Sequence, residues 1–173
     1  DILDIIKHEQ FQPIVMGSTL PSYKSSHAFL GEEMYLFEGL TTQGFTEKKY
    51  IIQNALMYLN TPYLWGGRSP VGIDCSGFIQ MVYRLQGIKL PRDTYQQAEV
   101  GRTLKSVGES EAGDLAFFEN KEGKINHVGI IMKNNYIIHA SGKVRIDKLD
   151  KQGIFNDDLG THSHKLVLIK SII

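Results

Sequence analysis

Residues 63–78 of this 173-residue chain read YLWGGRSPVGIDCSGF and include Cys75, the only cysteine of the protein. After it, apolar side chains at positions 78, 79, 82 and 85 follow helical spacing, and Gly87 is typical of a helix end. The glycine-rich stretch before it, with Pro70, predicts a loop. Cys75 is therefore predicted to lie where a loop becomes a helix. A helix N-terminus stabilises a thiolate relative to a thiol, so this position indicates a nucleophile.

A second interpretation of Cys75 stays open on this segment alone. A lone cysteine is more often a small buried hydrophobic residue than a catalyst. Its neighbours Asp74, Ser76 and Gly77 are polar or small, unlike the apolar stripe of a helix or a core strand. This setting favours the catalytic interpretation.

The composition limits the classes of protein to consider. Hydrophobic residues make up 42% and charged residues 22% of the chain, as in globular proteins. The formal net charge is zero, without a basic run, so we expect no nucleic-acid partner. We also expect no membrane span, because no apolar stretch approaches the roughly 20 residues that one requires. No signal peptide is visible in a chain that opens on Asp1, which is compatible with a processed form and leaves the compartment undecided.

Charge divides the chain near residue 45. Residues 1–45 carry two lysines against six acids, a net charge of −4, whereas residues 46–173 carry seventeen basic residues against thirteen acids, a net charge of +4. Extended pieces at 12–16 and 33–37, separated by turn residues, predict a small β segment in the first part. Forty-five residues are too few for a strong core of their own. We therefore predict a small β unit, residues 1–45, ahead of a main domain, residues 46–173.

The main domain is predicted to be α+β. Thr46 is expected to open a helix, the Cys75 helix follows, and a shorter helix over 94–99 has Asp93 as its N-cap. Strands are predicted over 115–119, 128–132, 136–140, 144–149 and 166–173. Helices followed by an antiparallel run of strands are typical of this class.

A cysteine nucleophile needs a base within hydrogen-bond reach and a third group that orients the base. Among six histidines, His127 and His139 differ from the rest because each lies in a predicted apolar strand. The others are most simply surface residues: His8, His27, His162 and His164.

The loop between the two strands decides whether His127 and His139 can meet. If residues 133–135 form a three-residue loop, His139 lies opposite Gly129, and His127 is on the same face, one diagonal step away. Asn135 suits the left-handed position of such a loop. A two-residue loop would place the histidines on opposite faces unless a bulge intervened. A catalytic triad therefore predicts an odd loop or a bulge.

Six short motifs follow one another in the chain. They are YLWGG at 63–67, DCSGF at 74–78, LPRDT at 90–94, GDL at 113–115, HVGI at 127–130 and IHAS at 138–141. Together they resemble the NlpC family of papain-like bacterial cell-wall cysteine endopeptidases, over about residues 46–149. Residues 1–45 resemble, more loosely, part of the bacterial SH3-like module that family members often carry ahead of the catalytic domain.

The resemblance implies a papain-like fold in which helices pack on an antiparallel sheet, and it implies a role for several residues. Cys75 would be the nucleophile, His127 the base and His139 the group that orients the base. Cys75 and His127 would form an ion pair, and attack on an amide would give a thioester. Tyr63 is expected beside the nucleophile, and no cofactor is expected.

The family also implies a substrate. Relatives with SH3-like modules cleave peptidoglycan stem peptides between γ-D-glutamate and the diamino acid, and those acting on recycled fragments require a free L-alanine amine. Asp74 would anchor this amine or simply cap the helix, while Arg92, Thr94 and Ser76 would hold the glutamate carboxylate. Relatives often have serine where Thr94 stands. The cell envelope of a bacterium is the favoured location, with cytoplasmic recycling as the alternative.

Two rival interpretations accompany this one. Cys75, His127 and His139 would also suit a zinc site with water as the fourth ligand. The chain would otherwise be a wall-binding module without activity, an interpretation that a blocked cleft would favour.

Overall fold

The computed structural model describes residues 2–7, 10–44 and 47–173, and the chain divides into two compact units, Asp1–Thr42 and Gln43–Ile173. Thr46, the predicted first residue of a helix, and His8 lie outside the described residues. Each unit has its own sheet.

The first unit contains a four-stranded antiparallel sheet in the order β2-β1-β4-β3. Its strands are β1 (Ile2–Lys7), β2 (Gln10–Val15), β3 (His27–Leu30) and β4 (Glu33–Phe37). Two of them, β2 and β4, match the extended pieces predicted over 12–16 and 33–37. Phe37 is buried and meets Tyr23 edge to face. The SH3-like assignment of this unit stays a prediction.

Three helices precede the main sheet of the second unit: α1 (Lys49–Leu56), α2 (Cys75–Arg84) and α3 (Thr94–Gln97). The first begins at Lys49, and the ammonium group of the preceding Lys48 pairs with buried Asp114 at 2.7 Å. The third has the predicted N-cap, Asp93, but ends two residues earlier than predicted. Gln97 there is fully buried, and its side-chain amide donates to two backbone carbonyls.

The main sheet has seven antiparallel strands in the order β12-β11-β10-β9-β8-β13-β7. The second unit's strands are β5 (Arg68–Ser69), β6 (Gly72–Ile73), β7 (Arg102–Leu104), β8 (Leu115–Glu119), β9 (Ile125–Met132), β10 (Tyr136–Ser141), β11 (Lys143–Leu149), β12 (Gly153–Asn156) and β13 (Thr161–Ser171). An additional pairing between β12 and β13 closes six of the strands into a barrel. The short β12, which the sequence did not predict, provides this closure.

The hairpin between β9 and β10 has the predicted three-residue loop. Its register places His139 opposite Gly129, so that prediction is confirmed. Asn134 and Asn135 both have φ of 60°, a left-handed conformation that asparagine tolerates better than most residues. A methyl group at Gly129 would lie 2.9 Å from Cβ of His139, so the glycine provides the space that the imidazole occupies.

The two faces of β9 and β10 have different surroundings. Val128, Ile130 and Ile138 are fully buried on the face against which α2 packs. His127 and His139 alternate with these residues and therefore share the other face, inside the barrel. Apolar side chains fill that interior around Phe118, Ile131 and Ile137. The two histidines thus enter the barrel core as polar groups that need partners there.

Candidate active site

Cys75 is the first residue of α2, as predicted. The N-cap is Asp74, whose Oδ1 accepts a hydrogen bond from the backbone N–H of Gly77 at 2.7 Å. Gly77 also permits a close approach of the preceding loop, since a methyl group at this position would lie 2.3 Å from the carbonyl oxygen of Gly67. The Cys75 thiol is nearly buried, with Sγ 3.7 Å from Oγ1 of Thr94. The loop thus holds the sulfur at the start of the helix.

A line of hydrogen-bonding side chains crosses the barrel from β9 to β11. Nε2 of His127 lies 2.9 Å from Nδ1 of His139, and Nε2 of His139 lies 2.8 Å from Oδ2 of Asp147. None of the three side chains is more than 6% exposed. Arg145 Nη2 donates to Oδ1 of Asp147 at 2.8 Å. The sequence predicted the first two members of this relay and missed Asp147 and Arg145.

The relay leaves one ring nitrogen of His127 for chemistry. Because Nε2 faces His139, only Nδ1 is available to exchange a proton with Cys75. Among the described residues, the thiol has polar neighbours in Thr94 and the carbonyl of Asn126, and no hydrogen bond joins it to His127. Both side chains line the same cleft.

The electrostatics of the resting site favour a neutral pair over an ion pair. Burial raises the pKa of the Cys75 thiol above its ordinary value, and the nearby charge of Asp74 adds to this effect. Burial, followed by repulsion from His139 and His164, lowers the pKa of His127 well below 6.5. Both directions favour a neutral thiol and a neutral imidazole, whereas the helix N-terminus favours the thiolate, so the thiolate–imidazolium pair stays a prediction.

The cleft above these groups has a volume of about 790 Å³, and Cys75 lines it. It collects the predicted substrate-binding residues around the thiol and His127, whereas His139 and Asp147 lie behind its wall. The predicted residues that line it are Tyr63, Asp74, Ser76, Arg92 and Thr94. Exposed aromatic rings of Trp65 and Tyr95 form part of its rim. The residues that the structure describes leave this cleft open, and a blocked cleft was the observation that would have favoured a wall-binding module without activity.

Asp74 and Arg92 satisfy each other at the floor of the cleft. The Arg92 guanidinium spans the carboxylate, with Nη1 3.0 Å from Oδ1 and Nη2 paired with Oδ2, and Nη1 also donates to Oγ of Ser76 at 2.7 Å. The second carboxylate oxygen accepts from the backbone N–H of Gly66 at 2.8 Å. Burial alone would raise the pKa of Asp74, but hydrogen bonds from Arg92, Gly77 and Gly66 hold it below its usual range. The Asp74 carboxylate is therefore charged, and both of its oxygens already accept hydrogen bonds from the protein.

His164 belongs to the site, which corrects the prediction of a surface position. It lies on β13, not in a loop, and its ring stacks on His127 with centroids 4.1 Å apart and planes 27° apart. Burial lowers the pKa of His164 to about 4. The strand extends to Thr161 because β12 pairs with it, and this pairing carries His164 over the barrel mouth. Of the other predicted surface histidines, His162 is half-buried and pairs with Asp150.

The geometry of His139 argues against the zinc alternative. Both of its ring nitrogens are engaged, Nδ1 with His127 and Nε2 with Asp147, so neither is available to a metal. Within residues 2–7, 10–44 and 47–173, no three His, Cys, Asp or Glu side chains are grouped in a way that would hold a metal ion.

The sequence profile of the NlpC/P60 family matches residues 60–161, more than half of the chain. This chain therefore belongs to the NlpC/P60 family. The matched residues include the Cys75 helix start, both relay histidines and Asp147.

Curated relatives agree with this membership. The chain is 41% identical over 92 residues to the gamma-D-glutamyl-L-lysine dipeptidyl-peptidase of Bacillus subtilis, covering 52% of this chain and 31% of the relative. It is 46% identical over 81 residues to the murein DD-endopeptidase MepS/murein LD-carboxypeptidase of Escherichia coli, covering 46% and 42%. The chain thus spans less than half the length of these relatives.

Solved structures share the fold. An NlpC/P60 family protein from Bacillus cereus aligns over 99% of this chain and 60% of its own, with a TM-score of 0.77 at 22% identity. The NlpC/p60 domain of the peptidoglycan hydrolase SagA aligns over 60% of this chain and 90% of its own, with a TM-score of 0.55 at 34% identity. In the part of the chain that the structure describes, no helix is long and apolar enough to cross a membrane.

Proposed function

We propose that this protein is a cysteine endopeptidase that hydrolyses peptidoglycan stem peptides at the bond between γ-D-glutamate and the diamino acid. The preferred substrates are fragments with a free N-terminal L-alanine, with diaminopimelate or lysine as the diamino acid. The observation that carries the proposal is the joint lining of one open cleft by a helix-start cysteine and a histidine that ends a buried relay.

The proposed reaction begins with the neutral pair. Nδ1 of His127 takes the thiol proton as Cys75 attacks the amide carbonyl, and the backbone N–H of Cys75 stabilises the oxyanion. His127 then gives this proton to the departing amine, which leaves a thioester on the sulfur. Water, deprotonated by the same nitrogen, hydrolyses the thioester and restores the thiol. Tyr63 at the cleft wall would orient the carbonyl group.

Substrate specificity is proposed to come from the ion pair at the cleft floor. An ammonium group beside Asp74 and a carboxylate beside Arg92 would each find an opposite charge, so a fragment carrying both groups fits this pair. The hydroxyl groups of Thr94 and Ser76 supply further hydrogen bonds. The name of one relative supports the choice of bond, since the Bacillus subtilis protein is called a gamma-D-glutamyl-L-lysine dipeptidyl-peptidase.

The test uses two synthetic peptides, L-Ala-γ-D-Glu-diaminopimelate and its N-acetylated form, with release of the diamino acid followed by mass spectrometry. We expect cleavage of the free-amine peptide and a strong loss of cleavage on acetylation, with the Cys75→Ala variant inactive on both. Equal cleavage of both peptides would contradict the amine requirement. Failure of the unmutated protein to cleave either peptide would contradict the proposed substrate.

A further inference from the structure

We infer that Asp147 is a positioning residue that determines which ring nitrogen of His127 carries a proton. It does so through His139, without touching the cleft or the thiol. The inference concerns the ionisation and hydrogen-bond direction of the relay, and only its consequence for rate rests on the proposed function.

The first step is the state of Asp147 itself. Its side chain is 4% exposed and lies between His139 and Arg145, whose Nη2 donates to Oδ1 and whose Nε lies 2.7 Å from Oδ2. Burial alone would raise the pKa of Asp147, but hydrogen bonds from these two residues keep it below its usual range. The group is therefore a carboxylate, which can only accept hydrogen bonds.

The second step is the protonation of His139, which follows from the acceptor role of Asp147. At 2.8 Å from a carboxylate oxygen, Nε2 of His139 must carry the proton. A neutral imidazole has only one N–H, so Nδ1 of His139 is then an acceptor. It lies 2.9 Å from Nε2 of His127, which must donate to it.

The third step reaches the reacting atom. His127 is neutral near pH 7 because burial depresses its pKa, and its single proton is committed to Nε2. Its Nδ1 consequently presents a lone pair on the side away from the relay. The two hydrogen bonds thus run in one direction, from His127 to His139 to Asp147, and leave a base available for the thiol proton.

No other described group forms a hydrogen bond to these ring nitrogens of His127 and His139 that would reverse their donor and acceptor roles. His164 stacks on His127 face to face, and its own Nδ1 bonds to Oγ of Ser163 at 2.8 Å. Asp158 is connected to the relay only through Arg145, whose Nη2 donates to it at 2.9 Å as well as to Asp147. The direction of the relay therefore depends on the charge of Asp147.

Replacement of Asp147 by asparagine tests this dependence while keeping the shape. Arg145 donates to Oδ1 through Nη2 and lies 2.7 Å from Oδ2 through Nε, so the asparagine N–H₂ would face a donor in either orientation, and we expect both orientations to be populated. In the orientation with the N–H₂ toward His139, His139 would accept at Nε2 and donate from Nδ1, and His127 would hold its proton on Nδ1. In that form the base would lose the lone pair that it needs for the thiol.

The experiment measures the histidine tautomers directly, by ¹⁵N NMR of imidazole-labelled protein at neutral pH. For the unmutated protein we expect neutral His127 with its proton on Nε2. In Asp147→Asn we expect a shift toward the Nδ1–H form, with alkylation of Cys75 by iodoacetamide and peptide cleavage slowed by up to about 10⁴-fold, according to the fraction of His127 in that form. Asp158→Asn is the matched control and should leave the tautomers and both rates unchanged.

The tautomer of the unmutated protein can overturn the inference without any variant or substrate. A proton found on Nδ1 of His127 would overturn it, as would an Asp147→Asn protein whose tautomers match those of the unmutated protein. If Asp147→Asn does not fold, Asp147→Ala should give a mixture of tautomers, and a single unchanged Nε2–H form in that variant would also contradict the inference. Loss of peptide cleavage by the unmutated protein would count against the proposed function alone.

Discussion

Two buried aspartates, each paired with an arginine, flank the proposed nucleophile and base, and they differ in what they face. Asp74 and Arg92 lie on the nucleophile side and line the cleft, whereas Asp147 and Arg145 lie on the base side, outside the cleft lining. Both aspartate residues are 4% exposed. The comparison teaches that one chemical unit, a carboxylate held by a guanidinium, is placed for two different proposed roles according to its third neighbour. That neighbour is the open cleft for Asp74 and the imidazole His139 for Asp147.

The sharpest way to break this comparison is to remove each negative charge and compare the kinetics. We expect Asp147→Asn to lower kcat by up to about 10⁴-fold with little change in KM, since it shifts the tautomer of the base. Asp74→Asn keeps a good N-cap and should raise KM for the free-amine peptide, because it removes the charge that meets the ammonium group. Steady-state kinetics on both peptides measure the two effects.

The acetylated peptide is the control for this pair of variants. The KM effect of Asp74→Asn should vanish on it, while the kcat effect of Asp147→Asn should persist wherever residual cleavage is measurable. Identical kinetic changes in the two variants would contradict the division of roles.

The buried histidines beside the proposed base are also expected to make the free energy of unfolding depend on pH. This dependence should lie in a pH range where Asp74 and Asp147 do not titrate. Burial holds the pKa of His164 at about 4, compared with 6.5 when unfolded, so the unfolded chain binds the extra proton first. Stability is therefore full above pH 6.5 and falls as the pH drops toward 4, by on the order of 3 kcal/mol for this histidine. Urea unfolding at pH 7, 5.5 and 4 measures the slope.

His164→Gln provides the comparison for the pH series. The variant should lose part of the slope between pH 6.5 and 4, while the share due to His127 remains. An unchanged slope in His164→Gln would show that this ring is not kept neutral by burial.

At neutral pH we expect the loss of Asp74 to lower the free energy of unfolding more than the loss of Asp147. This order is the reverse of their expected effects on kcat. Asp74→Ala removes the N-cap and the acceptor for Gly66, Gly77 and Arg92, and we expect a loss of about 2–3 kcal/mol, moderated because the Arg92 side chain is 33% exposed. Asp147→Ala should cost about 1–2 kcal/mol, because Arg145 retains Asp158. Chemical denaturation at pH 7 gives both values.

Asp158→Asn is the internal reference for these two losses. Its side chain is 75% exposed, so its removal should change the free energy of unfolding by less than about 1 kcal/mol. A larger loss for Asp147→Ala than for Asp74→Ala would reverse the expected order.

Gly129→Ala should have a modest effect on stability and activity, because it changes the packing around His139 without changing a charge. The added methyl group would lie 2.9 Å from Cβ of His139 and 2.7 Å from Cδ1 of Ile137. We expect a stability loss of about 1–2 kcal/mol from overpacking, together with reduced cleavage as His139 moves from Asp147. Retained cleavage with an unchanged His139 tautomer would show that the ring tolerates this shift.

The helix start around Cys75 could be predicted from the sequence because its contacts are local. Asp74, Cys75 and Gly77 lie within four residues, and the glycine-rich loop ahead of them indicated a helix start. That His127 and His139 share one face could be predicted for a related reason, since a three-residue loop fixes the register of one hairpin. Short sequence separation left few alternatives in both cases.

Asp147 was missed although it is one further diagonal step across the sheet. His139 pairs with Arg145, and Asp147 is two residues on, on the same face. That step depends on the link between β10 and β11, where Ser141 pairs with Lys143 around the single residue Gly142, at φ of 69°. So tight a link has no strong sequence signal, and a one-residue change in it would turn Asp147 to the other face.

His164 was missed because barrel closure is a long-range event. The four-residue β12 pairs with β13 through a register shift between Ile154 and Phe155. A bulge of this kind removes the regular alternation from which a face can be predicted. Neither the strand nor the inward position of His164 could therefore be predicted from its neighbours.

The most direct test of the central claim, that Cys75 is the nucleophile of a thioester mechanism, is rapid acid quenching of the protein during turnover of L-Ala-γ-D-Glu-diaminopimelate. Peptide mapping by mass spectrometry then locates any acyl group. We predict an L-Ala-γ-D-Glu acyl group on Cys75, absent in Cys75→Ala, with turnover blocked by iodoacetamide and unaffected by chelators. Cleavage that persists in Cys75→Ala, or that chelators abolish while alkylation does not, would contradict the account.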